Sequence, residues 1–138
     1  MTNVNPYPSK LLQNLKKIIL VVEDEEDIRK AVVFRIRQAG FETLTAEDGE
    51  MAVQIAHGMR PSLILLDLKL PKLSGEEVCK AIKDGDDLDL RKTPIIMLTA
   101  KTSDVDQVIG HVIGANCYMT KPFDMDELIR NVTKYVQA

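Results

Sequence analysis

Hydrophobic positions in this chain fall into two alternating kinds of stretch. Short continuous apolar runs, such as Ile18-Ile19-Leu20-Val21-Val22 and Leu63-Ile64-Leu65-Leu66, suit strands buried on both faces. Between them, apolar residues recur at helical spacing. Ile28, Val32, Ile36 and Ala39 form one such face, with Arg29, Lys30, Arg35 and Arg37 read as its solvated side. Gly40 is placed to end that helix in the left-handed conformation. Phe41 to Ala46 reads as the second strand, and Asp48-Gly49 as a turn and cap. Met51, Ala52, Ile55, Ala56 and Met59 make the next helix face, closed by Gly58 and Pro61. The third strand spans 62–67. A helix starting at Ser74-Gly75-Glu76-Glu77 turns Val78, Cys79 and Ile82 inward, and 84–92 reads as a polar loop rich in Asp. Ile95 to Leu98 is the fourth strand. Ser103-Asp104 opens a helix carrying Val105, Val108, Ile109, Val112 and Ile113, which Gly114 ends. Cys117 to Thr120 is the fifth strand, and a final helix over about 124–137 buries Leu128, Ile129, Val132 and Val136.

Strand and helix alternate five times, the pattern of a parallel sheet with helices on both faces. The expected fold is α/β: a doubly wound, flavodoxin-like three-layer sandwich with a five-stranded parallel sheet of order 2-1-3-4-5. Residues 1–16, with Asn3, Asn5, Pro6, Pro8 and Ser9, read as a flexible N-terminal extension, and 17–138 as the domain.

Composition narrows the class. With 138 residues the chain is sized for one domain, and 45% apolar and 28% charged residues are ordinary for a globular protein. A net charge of −3 gives no basic footprint for nucleic acid. There is no apolar run long enough for a membrane span and no apolar core of a secretory signal before Lys17, so a cytoplasmic location is expected. Cys79 and Cys117 have no metal-binding spacing and read as buried, reduced thiols. His57 and His111 read as solvated helix positions.

The chemistry lies at the strand ends. Parallel strands deliver their last residues to one edge, and ligands bind there, at the crevice between the first and third strands. That edge would collect Glu23 and Asp24, then Asp67, then Thr99, then Lys121. Spacing alone leaves open that Asp67 only caps the following helix. It equally leaves open that Glu23 and Asp24 are helix-start charges, Thr99 a locally satisfied hydroxyl and Lys121 a surface lysine. Their joint placement favours a site. Two unit charges 4 Å apart repel by about 4 kcal/mol at an effective dielectric near 20. One lysine cannot offset three carboxylates, whereas a hard divalent cation can. Such a cation with a hydroxyl, an ammonium and a spare carboxylate suits phosphoryl transfer, with Asp67 available as nucleophile.

Together, Val22-Glu23-Asp24-Glu25, Asp67 with Pro71 and Gly75, Leu98-Thr99-Ala100, Gly114-Ala115, Tyr118 and Lys121-Pro122-Phe123 resemble the receiver domain of bacterial two-component response regulators. The resemblance covers about 17–138. It implies a phosphorylation-dependent switch in which Asp67 accepts a phosphoryl group from the phosphohistidine of a sensor histidine kinase or a histidine phosphotransfer protein. It implies Mg²⁺ (or Mn²⁺) held by Asp24, Asp67 and the Lys69 carbonyl, with Glu23 acting largely through water. It implies that Lys121, Thr99 and the Ala100 amide bind the phosphoryl group, that Tyr118 then changes rotamer, and that the Lys121-Pro122 bond is cis. The expected docking face for a downstream target is the fourth helix, fifth strand and fifth helix; a homodimer is a further expected partner state, and neither nucleic acid contact nor membrane insertion is expected. Lys69 and Lys101, each two residues past a site residue, are expected to shape the lifetime of the phosphorylated state.

Three rival readings remain. A phosphohydrolase acting through an aspartyl-phosphate wants a carboxylate two residues past the nucleophile, where Lys69 stands. A flavin or nucleotide module wants a Gly-rich loop after the first strand, and none is present. A receiver-like scaffold has no need of the intact constellation. An enzyme with sustained turnover is therefore not expected.

Overall fold

The computed structural model describes residues 17–100 and 114–136. Five strands alternate with helices: β1 (Ile18–Val22), α1 (Glu26–Gln38), β2 (Glu42–Ala46), α2 (Gly49–Met59), β3 (Leu63–Asp67), α3 (Gly75–Lys83), the single turn α4 (Leu88–Arg91), β4 (Ile95–Ala100), β5 (Cys117–Lys121) and α5 (Met125–Val136). The strands form one parallel sheet in the order β2-β1-β3-β4-β5, the topology expected from the sequence. The helix expected from Ser103 to Ile113, with His111 and Lys101, lies outside the described residues, as does the 1–16 extension.

Side chains alternate along each strand, so the sheet carries two cores. Leu20, Val22, Ile64, Leu66, Ile95 and Met97 face α2 and α3, meeting Ala52, Ala56, Val78, Cys79 and Ile82. Ile19, Val21, Leu63, Leu65, Ile96 and Leu98 face α1 and α5, meeting Val32, Ile36, Leu128 and Val132. The central strand β3 is buried along its whole length. Cys79 belongs to the first core and Cys117 packs against the second, so the sheet separates the two free thiols. Cys117 is only half-buried.

Several sequence expectations are corrected. Met51 and Met59 are exposed, because α2 meets the sheet through Ala52 and Ala56, with Val53 and Ile55 packed at the margin of the same core. Gly58 sits inside α2, and the left-handed cap belongs to Arg60, at φ 49°. The 84–92 segment is not all loop. The Asp87 carboxylate accepts from Leu90 N at 3.0 Å, starting α4 and sinking Leu90 into the first core. Arg60 pairs with Asp87 and ties this turn to the end of α2. Gly40 and Gly114 do take positive φ, at 96° and 92°.

Candidate functional site

β1 and β3 are neighbours whose continuations leave the sheet in opposite directions, α1 to one face and α3 to the other. A crevice opens at the carboxyl ends of both. Glu23 and Asp24 follow β1 directly, and Asp67 is the last residue of β3. One carboxylate oxygen from each of Glu23, Asp24 and Asp67 lies within 4.8 Å of the others. Glu23 and Asp67 are buried while Asp24 faces solvent.

Lys121, the last residue of β5, reaches into this cluster. Its ammonium donates to Glu23 Oε1 at 2.7 Å and to Asp67 Oδ2 at 3.1 Å. Burial acts to lower the Lys121 pKa. The Glu23 hydrogen bond and the Asp67 charge outweigh it, so the ammonium is held above its ordinary range. The remaining Asp67 oxygen, Oδ1, accepts from the Lys69 amide at 3.3 Å, and Glu23 Oε2 accepts from the Glu25 amide at 3.3 Å. The Lys69 side chain is exposed. The Lys121-Pro122 peptide is cis.

The loop after β3 is fixed from both sides. Leu68 N donates to Leu98 O at 2.9 Å, and Gly75 N donates to Leu68 O at 2.8 Å. Gly75 has to be glycine for reasons of space, since a Cβ there would overlap the Asp67 carbonyl oxygen and Leu68 Cα. Ser74 caps α3: its hydroxyl accepts from Glu77 N, and Ser74 N donates to the Glu77 carboxylate, each at 3.2 Å. Asp24, Leu68, Lys69, Pro71 and Glu76 line the solvent side of the crevice.

Thr99 is buried near the end of β4, opposite Thr120, and Ala100 stands opposite Lys121. Met97 is opposite Tyr118, so strand alternation puts Thr99 and Tyr118 on one face of the sheet. Tyr118 is half-buried against the first core. Glu23, Asp24, Asp67, Thr99 and Lys121 thus fall at one sheet edge, with the Lys121 ammonium in contact with both Glu23 and Asp67.

The donor set fits a small hard cation: three carboxylates against one ammonium, all oxygen ligands, one carboxylate still open to water. Sequence reasoning missed Arg29. It reads as solvated, yet its side chain is 12% exposed and its Nη1 donates to the Glu23 carbonyl at 2.9 Å. No described helix is long and apolar enough to cross a membrane.

A family profile described as a response regulator receiver domain matches residues 19–133. The alkaline phosphatase synthesis transcriptional regulatory protein PhoP of Bacillus subtilis (strain 168) is 44% identical over 114 residues, which is 83% of this chain. The chain spans about half the length of that relative, 46%. Among solved structures, the chemotaxis response regulator CheY4 of Vibrio cholerae is similar at TM-score 0.79 and 32% identity, covering 86% of this chain and 98% of its own. The receiver domain of the sensor histidine kinase PA1611 from Pseudomonas aeruginosa PAO1 is similar at TM-score 0.81 and 31% identity, covering 88% and 98%. That structure has a magnesium ion coordinated in its active site cleft.

Proposed function

This chain belongs to the response regulator receiver domain family, and from that membership we propose that Asp67 is the phosphoacceptor of a Mg²⁺-dependent switch. A receiver domain is a regulatory module of two-component signalling. The donor is the phosphohistidine of a sensor histidine kinase or of a histidine phosphotransfer protein. An Asp67 carboxylate oxygen forms the new O–P bond. The N–P bond to the donor imidazole breaks, and its electron pair returns to the ring nitrogen.

The observation that carries this reading is the contact of Lys121 with both Glu23 and Asp67 inside a cluster of three carboxylates. Glu23, Asp24, Asp67 and the Lys69 carbonyl would hold Mg²⁺ (or Mn²⁺). The cation, when bound, supplies charge neutralisation at the phosphoryl oxygens. Lys121 positions the Asp67 carboxylate before transfer and holds a phosphoryl oxygen after it. The Thr99 hydroxyl and the Ala100 amide donate to the other oxygens.

Once Asp67 carries the phosphoryl group, the added charge favours the arrangement in which Thr99 is drawn toward it. Tyr118, on the same face of the sheet, then changes rotamer. That alters the surface formed by β5 and α5, where a downstream protein or a second copy of the chain docks. The exposed Lys69 flanks the phosphoryl group and tunes how water reaches it. Sustained hydrolysis of phosphate esters is not expected, because Lys69 occupies the place a general acid would need.

The test is incubation with Mg²⁺ and acetyl phosphate, read by intact mass. Wild type should gain one phosphoryl group, and Asp67→Asn or excess chelator should prevent the gain. Modification elsewhere, or none, would overturn the assignment.

A further inference from the structure

α1 begins with Glu26 and Asp27, as a helix N-terminus favours. Arg29 contradicts that preference: it places a cation in the same turn, where the helix dipole opposes it, and it is almost entirely covered. Its contacts account for the position. Nη1 donates to the Glu23 carbonyl at 2.9 Å and approaches the Asp24 carbonyl at 3.5 Å. Nη2 lies 3.2 Å from Glu47 Oε1. One planar fork therefore ties the backbone beneath two of the three clustered carboxylates to the corner between β2 and α2.

That corner also touches the opposite wall of the crevice. Gly49 N donates to Pro71 O at 3.2 Å, and Asp48 Oδ2 lies 3.6 Å from Lys72 Nζ. A Cβ at Gly49 would overlap the Leu73 carbonyl, so the approach is close. Glu47, Asp48 and Gly49 lie outside the carboxylate cluster, yet they touch the loop after β3 directly and reach the loop after β1 through Arg29.

We propose that Arg29 is a positioning residue for the cation site, holding the Glu23–Asp24 backbone at the spacing a divalent ion requires by anchoring it to Glu47. The proposal rests on the reading of the crevice as a Mg²⁺-dependent phosphoacceptor site. A guanidinium suits the task where an ammonium does not, because only the fork reaches a carbonyl and a carboxylate at once. Loss of the fork leaves the Glu23–Asp24 loop free to adopt wider arrangements, and the ligands must then be ordered at the moment of binding.

The sign of the effect separates positioning from charge. Arg29 is a cation near a cation site, so by Coulomb's law alone its removal should tighten Mg²⁺ binding. Positioning predicts the reverse. Calorimetric titration with Mg²⁺, below the unfolding range of each variant, should show Arg29→Ala and Arg29→Lys both binding about tenfold more weakly than wild type, the lower end of what losing an outer-shell partner costs. Arg29→Lys keeps the charge and most of the stem, and it covers the case in which Arg29→Ala does not fold. Affinity in either variant equal to or tighter than wild type overturns the proposal, as does lowered thermal stability with unchanged affinity. Phosphorylation of wild type at Asp67, measured alongside, keeps the outcomes apart. If wild type is not phosphorylated, the underlying reading fails; if it is, and the variants bind Mg²⁺ normally, only the role of Arg29 fails.

Discussion

Lys121 and Glu23, 98 positions apart in the chain, meet through a 2.7 Å hydrogen bond between the ammonium and Oε1. Glu23 is 1% exposed, and the Lys121 ammonium is the opposite charge placed against its carboxylate. Asp67, 3.1 Å away, shares the same ammonium.

Lys121→Met should therefore destabilise the protein when a chelator removes divalent ions. Breaking a buried pair costs roughly 3–5 kcal/mol. Partial solvation of the Lys121 end reduces the expected loss to about 1–2 kcal/mol. The pH dependence follows from a raised lysine pKa. The stabilisation is fully present below the ordinary lysine value near ~10.4 and is lost as pH rises through the higher folded value. Urea unfolding should show a constant gap between wild type and variant near neutrality, narrowing only in the alkaline range.

Asp67→Asn should change sign with Mg²⁺. Carboxylates within 4.8 Å of one another repel by about 3.5 kcal/mol at an effective dielectric near 20, partly offset by the shared Lys121. In chelator the variant should be more stable than wild type by about 1 kcal/mol. In Mg²⁺ at a hundred times the dissociation constant, wild type gains about 2.7 kcal/mol and the order reverses. Thermal melts with and without Mg²⁺ check both halves.

Gly75→Ala should damage the fold and the site together. The added methyl overlaps the Asp67 carbonyl oxygen and Leu68 Cα, which are backbone atoms unable to rotate aside. Overpacking of this kind costs about 1–3 kcal/mol. The phosphorylation rate should fall as well, because the strain bears on the acceptor residue itself. Unfolding midpoints and the rate of mass gain in acetyl phosphate measure the two effects.

Cys79 should resist alkylation in the native state. Burial pushes its thiol up to about 11, leaving little thiolate at neutral pH, and it is buried between α3 and the sheet. Burial likewise raises Cys117, which is less covered. Iodoacetamide at neutral pH should spare Cys79 until denaturant is added, as peptide mass analysis would show.

The sequence by itself determined the sheet and the edge at which chemistry collects. Unbroken apolar runs such as Leu63–Leu66 are stable only when covered on both faces. Covering both faces with helical crossovers forces the strands parallel, and parallel strands bring Glu23, Asp67, Thr99 and Lys121 to one side whatever the loops do. Tertiary structure decided what local pattern cannot encode. Arg29 has the spacing of a solvated residue, yet its side chain is largely covered where it bonds the Glu23 carbonyl and pairs with Glu47 at the β2–α2 corner. Met51 and Met59 have the spacing of core residues and are exposed because the small Ala52 and Ala56 bring α2 to the sheet along a narrower line. Leu90 belongs to a turn of only four residues, too short to show a period, and it is buried through the Asp87 cap and the Arg60 pair. Periodicity reports which side of an element is apolar; how deeply each residue sinks depends on neighbours far away in the chain.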